Sequence, residues 1–375
     1  MSGRLWVLLF LFCLSPFATS QDGVSLTTSP AQSDGTASPQ PRLAKRPPES
    51  PESRDTSGKK VGRLTLDVTV TDPAGKAVSG LNQGDFTVLD NHQPADVLSF
   101  RAVDGVAAAD PVQVILLIDG VNNTFQSVAT ERDQIVKFLS QNAGRLPTPM
   151  SIALFSDTGV KVDQPTLDGN VLIAELKKMP IAIRTIDSAM GGEGAIERFQ
   201  LSLKTLIRLL TYERTKPGRK LLIWIGPGWP MLAGVHFGAS ETDKHSYWDL
   251  IVTFSTDLRE AGVTLYSIDS PSSGTSLSHD VFYQNFLRGV VKPKDAESGN
   301  LSLPVLAVQS GGRALYRSND LASAIASCVD DARAYYTIVL QISPSETVNQ
   351  YRPLEVKVAT PALTARTNSA YYAQP

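Results

Sequence analysis

Apolar and polar residues alternate through RLTLDVTVTD, Arg63 to Asp72, placing Leu64, Leu66, Val68 and Val70 on one face of a half-buried strand. Asp72-Pro73-Ala74-Gly75 then turns the chain, and Asp85 to Leu89 and Asp96 to Arg101 read as further short strands. Tyr335 to Ile342, Pro353 to Ala359 and Leu363 to Thr367 repeat this texture near the carboxyl terminus. Between about Pro111 and Ala334 the period changes. Strands at Val112 to Ile118, Ser151 to Phe155, Lys220 to Ile225 and Val263 to Asp269, with a weaker one at Arg313 to Tyr316, alternate with helical patterns. Ala195 to Tyr212 sets Ile196, Phe199, Leu203, Leu206 and Leu210 at three- and four-residue spacing. Trp248 to Arg259 is a second helix, with Gly262 placed for a left-handed cap, and Leu301 to Ser310 a third, stopped by Gly311-Gly312. Gly191 to Gly194 reads as a flexible loop. Strand and helix alternating in this way predict right-handed crossovers and a mostly parallel sheet covered on both faces.

The chain's beginning adds an address. Arg4, an apolar run from Leu5 to Phe17 and the small residues Ala18-Thr19-Ser20 fit an export signal cut before Gln21. That run is shorter than the roughly 20 residues a membrane helix needs, so the processed chain is expected to carry no transmembrane segment. Residues 21–60 are rich in Ser, Thr, Pro and charge and poor in large apolar groups, which predicts a disordered tether. Signal removal leaves Cys328 as the lone thiol, so no intrachain disulfide forms and stability rests on the core. Cys328 falls in the amphipathic stretch Leu321 to Ala334, where a buried thiol is expected. A formal net charge of −2 without an extended basic patch argues against nucleic acid.

Candidate chemistry starts at VILLIDGVNNTF, Val114 to Phe125, where a buried-type strand ends in Asp119-Gly120. Carboxyl ends of parallel strands are where open α/β sheets bind ligands. The order of elements, Asp119-Gly-Val-Asn-Asn, the SIALFSD strand at Ser151 to Asp157 and the KLLIWIGPGWP strand at Lys220 to Pro230 resemble a von Willebrand factor type A domain. The flanking β segments, DVTVTDPAGKAVSGLNQGDFTVLDN before it and YYTIVLQI and LEVKVATPALTARTNSAYYA after it, resemble the secreted bacterial "VWFA-related" proteins. The resemblance covers about Val61 to Ala373. It implies a metal-ion-dependent adhesion site, Asp-x-Ser-x-Ser with a Thr and a second Asp from later loops, holding a divalent cation such as Mg2+ through oxygen ligands.

Position by position, that site is degenerate. Asp119 matches the first ligand, Val121 stands at the first serine and Asn123 at the second. Gly226-Pro227-Gly228 replaces the Asp-Gly of the later strand, and the Thr185 to Gly194 loop is the source left for the threonine. Asp119 and Asn123 are therefore the metal candidates, and no cofactor is the expectation. His236, Glu241, Asp243, His245, His279 and Asp280 lie on loops of the same edge, but their spacing matches no zinc motif and reads as solvated surface. No Gly-x-Ser-x-Gly, His-Glu-x-x-His or phosphate-binding Gly loop is present, which argues against an enzyme.

The expectation is an α/β chain with a doubly wound, mostly parallel sheet. It comprises a signal at 1–20, a linker at 21–60, a type A domain at 111–334, and an antiparallel β-sandwich built from 61–105 and 335–375. Its expected role is a non-enzymatic adhesion or scaffold module, secreted, periplasmic or on the cell-envelope exterior, that binds a protein partner. Asn122, Phe125, Trp229, Phe237 and Tyr247 are the expected contacts on the rim, with Trp248 beside them, because exposed aromatics carry much interface energy. A metal-dependent version using Asp119 and an envelope hydrolase are the alternatives.

Overall fold

The structure is a computed structural model that describes residues 53–54, 60–104, 111–179, 191–230, 239–269, 283–316 and 319–375. The expected signal, and the tether apart from 53–54 and residue 60, lie outside the described residues. The first strands are β1 (Ser53–Arg54), β2 (Lys60–Thr71), β3 (Phe86–Asp90), β4 (Gln93–Pro94) and β5 (Val97–Asp104). The alternation read in β2 is realised: Leu64, Leu66, Val68 and Val70 are all buried.

The middle of the chain builds β6 (Val112–Asp119), α1 (Phe125–Leu139), β7 (Arg145–Ser156), β8 (Gly159–Val162), β9 (Thr166–Asp168), α2 (Gly169–Lys178) and α3 (Gly191–Arg214). There follow β10 (Arg219–Ile225), α4 (Glu241–Glu260), β11 (Val263–Ile268), a short helix Leu303–Gln309, β12 (Ala314–Leu315) and a helix Leu321–Asp330. Strand order across the sheet is β12-β11-β10-β6-β7-β8, with β9 also on β7. The pairs β11–β12, β10–β11, β6–β10 and β6–β7 are parallel, whereas β8 and β9 join β7 antiparallel. Alternate side chains feed two cores. Ile115, Leu117, Phe155, Leu222 and Trp224 pack against α3, α4 and Leu303–Gln309. Val114, Leu116, Ile118, Ile152, Leu221 and Ile223 pack on the other face against α1, α2 and Leu321–Asp330. Helices on both faces make this a doubly wound, mostly parallel α/β sheet.

Strands β13 (Ala334–Ile342), β14 (Gln350–Val358), β15 (Thr364–Arg366) and β16 (Ala370–Ala373) return to the first block. β13 lies between β2 and β5, and β14 lies between β3 and β16, all antiparallel. The two sheets enclose Leu66, Val68, Tyr336, Ile338, Val88, Leu354 and Tyr371. β13 serves two cores, because Tyr336 points into this one and Tyr335 into the core of the parallel sheet.

A buried polar cluster marks that seam. The Asp331 carboxylate accepts from the Tyr266 hydroxyl and the Arg366 guanidinium, each at 2.8 Å, with Arg313 at 3.6 Å. Arg219 donates to the Asp331 carbonyl and the Thr69 hydroxyl while its guanidinium lies 4.6 Å from the Tyr335 ring centre. Burial first and the Asp331 charge second push the Tyr266 phenol up, so it stays a donor.

Two helix starts differ from the sequence expectation. α3 begins at Gly191, so Gly191 to Gly194 is its first turn rather than a loop. α4 begins at Glu241, not Trp248, because Ser240 and Asp243 form a capping box in which each side chain meets the other's backbone N–H. Its first two turns are polar, so apolar periodicity gave no sign of them.

Candidate functional site

Strand β6 delivers Asp119 to the carboxyl edge of the sheet, fully buried. The backbone N–H groups of Val121 and Asn122 donate to its Oδ1 at 3.0 and 2.9 Å. The Asn122 side-chain amide and the Trp224 indole N–H donate to its Oδ2, both at 2.9 Å. Burial pushes the Asp119 carboxyl above the usual carboxylate range, and the bonds from Asn122, Trp224 and Val121 pull it partway back.

The neighbouring strand is shaped to this arrangement. Ile225 pairs with Ile118, which sets Gly226 beside Asp119. A Cβ at Gly226 would stand 2.8 Å from the Asp119 Cβ, and the backbone there has φ +137°, so only glycine fits. Asn123 is spent on the loop: its Nδ2 donates to the buried Glu131 at 2.8 Å and its Oδ1 accepts the Thr124 N–H at 3.0 Å. Thr124 in turn caps α1 through the Ser127 N–H.

These residues do not fit the cation that the resemblance implies. A hard divalent ion needs oxygen lone pairs turned toward it. Both Asp119 oxygens instead face two N–H donors each, Val121 offers none, and the Asn123 oxygen is bound to backbone. Among the described residues no group of three or more His, Cys, Asp or Glu converges. His245 is exposed on the second turn of α4 with its Nδ1 2.8 Å from the Glu241 carbonyl oxygen. His236, His279 and Asp280 lie outside the described residues.

The expected rim contacts separate into different environments. Phe125, the first residue of α1, is 58% exposed. Asn122 is half-buried and braces the loop, its Nδ2 shared between Asp119 and the Ser202 hydroxyl at 3.0 Å. Trp229 is a correction: only 3% exposed, it lies edge-on to Trp224 at 5.4 Å and donates its indole N–H to the Leu301 carbonyl at 2.9 Å. Pro227 and Pro230 bracket this residue and fix the chain on either side of it as it turns back into the core. Trp248 is likewise buried, edge-on to Tyr372 at 5.1 Å. Tyr247 is half-buried against Phe199, ring centres 6.5 Å apart, and so is no free anchor. Phe237 lies outside the described residues.

Sequence reasoning missed Trp224 and Glu131 as partners of the Asp119 loop. The signal for Trp224 was chemical: an indole in a buried strand needs an acceptor, and Asp119 ends the adjacent strand. No helix among the described residues is long and apolar enough to cross a membrane.

No family model matches the chain, and no curated protein does. Several solved structures are similar to it. An aerotolerance-related membrane protein from Bacteroides fragilis shares 9% identity over 59% of this chain and 98% of its own, with a TM-score of 0.31. The SpRpn10 VWA domain shares 13% identity over 58% of this chain and 94% of its own, with a TM-score of 0.26. The pilus adhesin SpaC from Lactobacillus rhamnosus GG shares 9% identity over 86% of this chain and 55% of its own, with a TM-score of 0.32. All three scores fall below 0.5, so the fold rests on the strand order and register of this chain's own sheets.

Proposed function

We propose that the carboxyl edge of the parallel sheet is a protein-docking rim, presented by an exported protein outside the cytoplasm or on the cell-envelope exterior. The observation that carries this reading is Phe125, a large aromatic held exposed at the head of a capped helix. The loop before it is tied down at Asp119, Asn122, Asn123 and Thr124. Docking on a pre-ordered loop avoids most of the entropy cost of ordering it. An aromatic at the centre of an interface is the residue type on which binding energy concentrates. The sequence pattern of an export signal at residues 1–20 supports the location.

Phe125→Asp tests this. An acidic residue in the first helical turn suits the helix dipole, so the fold should hold and the melting temperature stay within about 2 °C of the parent. Affinity for the protein partner should fall at least about 30-fold, the loss of an anchor worth ~2 kcal/mol. Unchanged affinity overturns the reading.

A further inference from the structure

The rim of this protein holds a buried carboxylate whose two oxygens each face two N–H donors, and the chain supplies its own substitute for a cation. Trp224 sits on β10, which pairs in parallel with β6 from Arg219↔Val112 to Ile225↔Ile118. Its indole reaches across the sheet to the Asp119 Oδ2 at 2.9 Å, with both residues fully buried. A buried indole and a buried carboxylate each need a partner, and here each satisfies the other. Phe155 and Trp229, edge-on to Trp224 at 5.6 and 5.4 Å, fix the ring's position. We infer that the Trp224 indole N–H does at Asp119 the positioning work of a bound cation, so that the rim is ordered permanently and independently of divalent metal.

The chain of contacts shows how this works. Asp119 uses one oxygen to gather the Val121 and Asn122 amides and the other to hold the Asn122 side chain, which ties the loop to Ser202 on α3. Trp224 is the donor to Asp119 that comes from outside that loop. It is a positioning residue, acting on the rim through Asp119. A cation at Oδ2 would have to displace two N–H groups that converge on it. Gly226 completes the arrangement, since any side chain there strikes Asp119. The inference holds whatever the rim binds.

The test is a double-mutant cycle on the whole protein read by thermal melting, with a cation arm on the unaltered protein. Trp224→Phe keeps an aromatic ring, deletes the N–H and removes the volume of the second ring; it should lower the melting temperature by at least about 5 °C, and the coupling to Asp119 isolates the hydrogen-bond part. Asp119→Asn should lower it as well, because its amide then meets the indole N–H. The two together should cost clearly less than the sum, since removing the indole donor relieves that clash. Trp229→Phe with Asp119→Asn is the control and should be additive. Millimolar Mg2+, Mn2+ or Ca2+, or a chelator, should leave the unaltered protein's melt in place. An additive Trp224–Asp119 cycle, or a Trp224→Phe melt equal to the parent's, overturns the role of the indole. If a single variant fails to fold, the cation arm decides alone: a rise of several degrees with any of the three cations overturns the inference.

Discussion

Replacing Trp229 by alanine separates two pictures of this edge, a docking anchor and a core strut. The side chain is 3% exposed, packs edge-on against Trp224 and donates to the Leu301 carbonyl. A large aromatic buries roughly 150–250 Å2, which at ~25 cal/mol per Å2 corresponds to about 4–6 kcal/mol. Core truncations of this kind cost about 3–5 kcal/mol, and an orphaned Leu301 carbonyl adds about 1–3 kcal/mol. The expected loss is therefore at least ~4 kcal/mol. Urea unfolding followed by circular dichroism measures it, with Trp229→Phe, which keeps an aromatic ring but loses the N–H bond and the volume of the second ring, expected to cost less than the alanine variant. A Trp229→Ala protein within about 1 kcal/mol of the parent would refute the packing argument. It would return Trp229 to the docking surface.

Two further outcomes test the interior. Asp331→Asn should cost about 3 kcal/mol in chemical unfolding, because it removes the fully buried carboxylate that the half-buried Arg366 and Arg313 face; a loss under 1 kcal/mol contradicts this. Cys328 is buried and its thiol is pushed up to about 12 by burial first, so at pH 8 an aromatic disulfide reagent should label it only at the rate of unfolding; rapid labelling of the native protein contradicts this.

Much of the fold was legible because it is periodic. Alternation in β2 and the apolar runs of β6 and β10 report burial directly, so the mostly parallel sheet and the place of Asp119 at a strand end followed from pattern. The expected Ser151 to Phe155 strand extends in fact over Arg145–Ser156; Pro147 and Pro149 interrupt the apolar run, and the pairing with β9 shifts register between Arg145 and Met150. α4 escaped at its start for the opposite reason: Glu241 to Ser246 are polar, and only the cap at Ser240 announces the helix. The site was less legible because its contacts join strands distant in sequence. That Asp119 meets Trp224 depends on the β6–β10 register, and that Trp229 is core depends on where Leu301 falls; neither distance is written in a local pattern.

The measurement that bears most directly on the rim is site-specific photo-cross-linking from position 125. The protein carries a photoreactive phenylalanine analogue there and is irradiated with an envelope preparation of its source cells, with and without chelator. A control places the same group at Val348, which is 68% exposed in the turn between β13 and β14. The account predicts one discrete cross-linked protein from position 125, competed away by unlabelled parent but not by Phe125→Asp, equal in yield with chelator present, and missing from position 348. No product at position 125, or a product that chelator abolishes, contradicts it.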